Sequence, residues 1–184
     1  MKVNEIEFTD DALREAVLAC GVDNAEDIIE LRARKCGIKN TQGLEYLKNL
    51  KLLDLTRNLI CEIDLSALIE LEELYLGNNQ ISALDLSKNT QLRHLEIFIN
   101  DISDLDLSAS KQLENLFAST NDLNELDLSH NPGIEEVLVD DNQVSSLLLP
   151  ESCDIFKLNL KNNPLSSETR DFLQSRFNST QLIL

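Results

Sequence analysis

The chain has 184 residues, of which 42% are hydrophobic and only 4% aromatic, so a sizeable core is affordable in length and must be aliphatic rather than ring-packed. Sixteen Lys and Arg stand against 33 Asp and Glu, a net charge of -17. Such a surface repels polyanions, which excludes nucleic acid and anionic membrane as natural partners.

Residues 1–27 read as an N-terminal helical cap. Thr9-Asp10-Asp11 supplies capping oxygens, Ala12, Leu13, Ala16, Val17 and Cys20 fall on one face, and Gly21 stands where a helix would end. Asp23-Asn24-Ala25-Glu26-Asp27 has no glycine at a sharp turn and no twelve-residue ligand pattern, so it does not read as a calcium loop.

From Leu50 the chain repeats itself every 21 residues. Leu50, Leu71, Leu92, Leu113, Ile134 and Ile155 each open a frame of apolar residues at the fourth, sixth and eleventh places and Asn at the ninth. An irregular first copy, Ile28, Leu31, Ala33, Cys36 and Ile38, precedes them by 22 residues, giving seven repeats over 28–163. Within each copy the alternation is that of a strand with one face inward, and the Asn and following apolar residue turn the chain back. A lone coil buries too little to offset its ordering entropy, so stacking and two caps are required.

The asparagines at 58, 79, 100, 121, 142 and 163 are expected to bond turn backbone groups rather than a ligand, because an amide both donates and accepts. Cys36 takes that place in the first copy and is expected to be buried; the four cysteines share no period or C-x-x-C spacing, so no zinc site or disulfide framework is readable. Asp64, Asp85, Asp106 and Asp127 recur in Asp-Leu-Ser triplets. Local turn bonds to the backbone are the expected role of that column, and a calcium-stabilised structural module is the alternative. Residues 164–184 read as a C-terminal cap, with a helix starting near Ser166, a buried face of Phe172, Leu173 and Phe177, and a closing strand at Gln181–Leu184.

The run from Asn79 to Leu92 resembles the short 21/22-residue class of bacterial leucine-rich repeat proteins, and Gly43-Leu44-Glu45-Tyr46-Leu47-Lys48-Asn49-Leu50 with the helical front cap resembles the internalin-like members. The resemblance covers nearly the whole chain. It implies an α/β solenoid with a parallel sheet on the concave face, short turns or 3₁₀ segments on the convex face, and a role in binding another protein. Members are often surface-displayed or secreted, and a truncated substrate-recognition domain of a secreted effector is a further alternative. No export signal is present, which leaves a cytoplasmic protein, or a secreted one whose leader was removed, as the expectation.

Outward strand positions carry the candidate site. One column is Arg32, Asp54, Tyr75, Glu96, Phe117, Leu138 and Asn159, and the next is Arg34, Thr56, Gly77, Phe98, Ser119, Asp140 and Lys161. Tyr75, Phe98, Phe117 and Leu138, with Ile99 at the turn, are expected to form an apolar patch with Glu96 within it; the opposing reading is that Phe98 and Phe117 tuck against neighbours. Arg32, Arg34 and Arg57 make the first strands basic, while the middle is acidic and Lys157 and Lys161 mix the last. The face spans roughly 29 by 17 Å, on the order of 500 Å², which suits a peptide or a small protein loop. No catalytic triad or phosphate loop is readable around His94 and His130. The expectation is a monomeric, non-catalytic, cofactor-free protein-binding module with no membrane insertion.

Overall fold

A computed structural model describes residues 1–184. Its architecture follows from the 21-residue period. Each coil contributes one three-residue strand to the main sheet: β1 (Glu30–Arg32), β2 (Leu52–Asp54), β3 (Glu73–Tyr75), β4 (His94–Glu96) and β5 (Asn115–Phe117) come first. After β6 (Glu125–Asp127) follow β7 (Glu136–Leu138), β8 (Ser146–Leu148), β9 (Lys157–Asn159) and β10 (Leu182–Ile183). The main sheet is parallel, in the order β1-β2-β3-β4-β5-β7-β9-β10.

Its register stacks Leu31, Leu53, Leu74, Leu95, Leu116, Val137 and Leu158 in one inward row. These seven belong to a continuous core of 45 buried apolar residues. Period-two alternation then sends the residues on either side of each to the concave surface.

Both ends of the core are covered. Helix α1 (Asp11–Leu18) starts where Asp10 accepts from the Ala12 and Leu13 amides, buries Leu13 and Val17, and is followed by Gly21 at φ +70°. A second oxygen of Asp10 accepts from Lys39 and Asn40, tying the cap to the first coil. At the other end α2 (Ser167–Arg176) is capped by Ser166 and buries Leu173, with Phe177 buried just past it. Phe172, expected on that face, is exposed, and the Arg176 guanidinium lies over its ring. The closing strand forms as β10 beside β9.

The asparagine column works as its chemistry requires. Asn79 is representative: its amide donates to the carbonyls of Leu55 and Leu76, while its oxygen accepts from the Ile60 amide. Each such residue therefore joins its own coil to the preceding one. Cys36 is a correction: it is exposed rather than buried, because the inward residue of the other coils donates to the coil before it and the first coil has none before it, while Asn58 already donates to the Ala33 carbonyl.

Two features of the convex side were not anticipated. Asn89, Ser110 and Asn131 are fully buried and form a second polar ladder, in which Asn89 donates to Leu65 and Leu68 and Asn131 to Leu107 and Ser110. The second is a two-stranded parallel sheet of β6 and β8. A 3₁₀ turn at Leu44–Tyr46 makes the first convex connection.

Candidate functional site

Three outward columns line the concave face. In one row Tyr75, Glu96, Phe117 and Leu138 stand side by side on four successive strands of the sheet. All four are half-buried. The column one step earlier, absent from the sequence-based patch, brings His94 between Glu73 and Asn115. Its ring lies 4.8 Å from Tyr75 and 5.1 Å from Phe117, centroid to centroid, the second contact edge-to-face. Tyr75, His94 and Phe117 are therefore one aromatic cluster, and such ring pairs add to plain area burial. The signal for His94 was present in the same 21-residue period.

Phe98 does not join the cluster. Its ring covers Gly77 on the neighbouring strand so closely that a Cβ there would stand 2.6 Å from it. Phe98 packs on Gly77 and Phe117 on His94, and both keep part of their surface open to the concave side. Ile99 is exposed at 45% and sits at φ +53°, a conformation that costs a β-branched residue about 1–2 kcal/mol. Lys35, Arg57, Asn78, Thr120, Asp141 and Asn162 occupy the same left-handed place in other coils.

The basic residues are spread along the first two coils rather than gathered with the rings. Arg32 is paired with Glu30 at 3.2 Å, Arg34 lies 3.6 Å from Asp54, and Arg57 is exposed at its turn. Leu52, Asp54 and Thr56 point to the concave side yet are buried, and Asp54 accepts from both the amide and hydroxyl of Thr56. Carboxylates of the middle strands are largely engaged across coils: Lys51 with Glu72 at 2.7 Å, Arg93 with Glu114, and Lys157 with Glu136 at 2.9 Å. Glu72, Glu73, Tyr75, Arg93, His94, Glu114 and Asn115 line a shallow depression of about 360 Å³.

Burial governs the titration of this face. It pushes the His94 imidazole below its ordinary 6.5, against the opposing pull of Glu73 and Glu136. The Nε2 atom is buried without a hydrogen-bond partner, consistent with a neutral ring. Tyr75 is raised by burial and by its 2.7 Å bond to Glu73. Glu96 is raised by burial, with Arg34 acting against the shift. A histidine whose folded pKa is depressed stabilises the fold above its unfolded pKa and loses that contribution as pH falls below it. Urea midpoints of the parent are therefore expected to drop, relative to His94→Gln, as pH descends from about 6.5. Parallel midpoints for the two proteins would contradict a neutral His94.

On the convex side Asp64, Asp85, Asp106 and Asp127 each accept from the amide of the serine two residues on, at 2.8 to 2.9 Å. Those serine bonds hold the four carboxyls below the usual range. The turn role expected of the column is thus the one observed. No three His, Cys, Asp or Glu side chains converge to hold a metal ion. No helix is long and apolar enough to cross a membrane.

Neither a protein-family model nor a curated relative matches the chain. Solved structures do. An internalin, inlF, from Listeria monocytogenes superposes with a TM-score of 0.78 at 28% identity, over 88% of this chain and 52% of its own. Internalin C2 from the same species gives 0.65 at 23% identity, over 100% and 95%. The LRIM1/APL1C complex gives 0.70 at 21%, over 77% and 28%. The chain spans about half the length of the first of these. Its fold is that of a leucine-rich repeat solenoid, similar to the solenoids of these Listeria internalins.

Proposed function

We propose that the protein is a non-catalytic interaction module that takes a protein or peptide partner on its concave face. One observation carries the reading: Tyr75, His94 and Phe117 form a ring cluster on three adjacent strands, continued by Leu138 on the fourth. Clustered aromatic and aliphatic anchors within a charged rim are the anatomy of a binding hot spot. Ile99 lies exposed at the rim, at the left-handed turn position that every coil has. Glu96 lies within the row, and Arg32, Arg34 and Arg57 would contact the part of a partner that runs toward the first strands.

The fold supports partner binding in general terms, since LRIM1 and APL1C were crystallised as a complex. Catalysis finds no support in the histidine. His94 Nε2 is enclosed beside two rings, and no serine or cysteine bonds to it. Convex-side turn bonds account for the Asp-Leu-Ser column without a cation.

Capture from cell extract on immobilised parent and Phe117→Asp tests the reading. Circular dichroism and thermal melting check that the variant folds as the parent does. A specifically retained protein is expected on the parent and to fall at least about tenfold on the variant, as for loss of a hot-spot residue. Equal retention would remove the face from consideration.

A further inference from the structure

Seven carboxylates line the concave face in buried or half-buried positions, and six have a partner. Asp54 is held by Thr56, Glu72 by Lys51, Glu73 by the Tyr75 hydroxyl, and Glu114 by Arg93. Glu136 is held by Lys157, and Asp140 accepts from Ser119 and Asn159. The seventh is Glu96. It is half-buried, pairs with no Lys or Arg, and accepts no hydrogen bond from any side chain or amide. The cation that acts on it, Arg34, extends from the turn after β1, three strands away, and is engaged with Asp54.

Desolvating a carboxylate without a partner is unfavourable, and the fold could have placed one here as it did for the other six. What flanks Glu96 instead is aromatic. The register puts Tyr75 directly beside it on β3 and Phe117 directly beside it on β5. Each stands one strand spacing, ~4.8 Å, to either side of Glu96 along the sheet, so a cation held at its carboxylate would have an aromatic residue on both flanks. A carboxylate between two rings matches a guanidinium, which is planar, donates in a fork to carboxylate oxygens and stacks on aromatic faces. An ammonium would satisfy the charge but not the fork. The net charge of -17 draws a basic segment toward the face as a whole.

We propose that Glu96, Tyr75 and Phe117 form a subsite for one arginine side chain of the partner, so that the module selects a basic segment. The inference rests on the concave face being the binding face and adds the chemistry of what sits at its centre. Glu96 accepts the guanidinium, and Tyr75 and Phe117, whose rings pack on the His94 ring between them, flank its stem.

Two-dimensional NMR titration with N-acetyl-arginine amide, at constant ionic strength, reads the subsite without knowledge of the partner. The side-chain resonances of Glu96, Tyr75 and Phe117 are expected to shift saturably. The neutral isostere N-acetyl-citrulline amide should leave them in place, and Glu96→Gln, an uncharged near-isostere, should weaken arginine binding about tenfold. Three results overturn the proposal: no shift at these residues up to about 50 mM, beyond the millimolar affinity expected of so small a ligand; equal shifts with citrulline; or unchanged affinity in Glu96→Gln. Should the titration fail while Phe117→Asp still abolishes partner capture, the binding face stands and the arginine subsite falls.

Discussion

Asn100→Ala is expected to lower the unfolding free energy by about 3–5 kcal/mol in urea. Asn100 sits midway along the ladder, buried, with its oxygen accepting from Ile81 at 3.0 Å and its amide donating to Leu76 at 3.1 Å and Ile97 at 3.0 Å. The two carbonyls keep a second donor after the change, since Asn79 also bonds Leu76 and Asn121 also bonds Ile97. The Ile81 amide keeps none. One orphaned buried donor at ~1–3 kcal/mol and two lost bonds at about 1 each give the figure. Asn124→Ala, at an exposed side chain without a hydrogen bond, is the control and should stay within about 0.5 kcal/mol of the parent. A loss below about 1 kcal/mol for Asn100→Ala would mean that water replaces the ladder.

Removing residues 164–184 is expected to have the largest effect of any change considered. Leu165, Leu173 and Phe177 leave the core, and at ~1.5–3 kcal/mol each that withdraws ~5–9 kcal/mol. The β10 strand goes with them, leaving the Leu158 and Leu160 amides without the Gln181 and Ile183 carbonyls. The Arg176 bonds to Pro150 and Glu151 are lost as well. Domains of this size have only about 5–15 kcal/mol to lose, and a solenoid end without its cap exposes the core of its last coil. The truncated chain should be insoluble, or show no cooperative thermal transition where the parent shows one. A soluble truncated protein melting near the parent would mean that the last coil closes itself.

The two expectations differ in how far the sequence discloses them. The ladder was legible because an amide every 21 residues has one common use, and period-two alternation likewise disclosed which residues face the concave side. Tyr75, Glu96, Phe117 and Leu138 were identified on that basis and do stand in one row. Parity does not say how far a side chain leans or what covers it. Phe98 lies over Gly77 because a glycine in the preceding coil leaves room, and Leu52, Asp54 and Thr56 are buried although they face outward. Cys36 is exposed because no coil precedes its own, and Asn58 already donates to Ala33. The Asn89–Ser110–Asn131 ladder escaped notice because one of its three members is serine and the period is carried by only two asparagines. At the site, the missing piece was His94. Its outward direction was legible, but its ring contacts depend on rotamers that spacing does not fix.

The central claim is that partner binding belongs to the concave row and to no other face. Capture should therefore be compared between Phe117→Asp and Ile69→Asp, which puts the same charge on an exposed convex residue, 52% accessible and outside the sheet. With both variants as folded as the parent, partner retention should collapse for Phe117→Asp and persist for Ile69→Asp. Equal retention by the two, or loss confined to Ile69→Asp, would contradict the account.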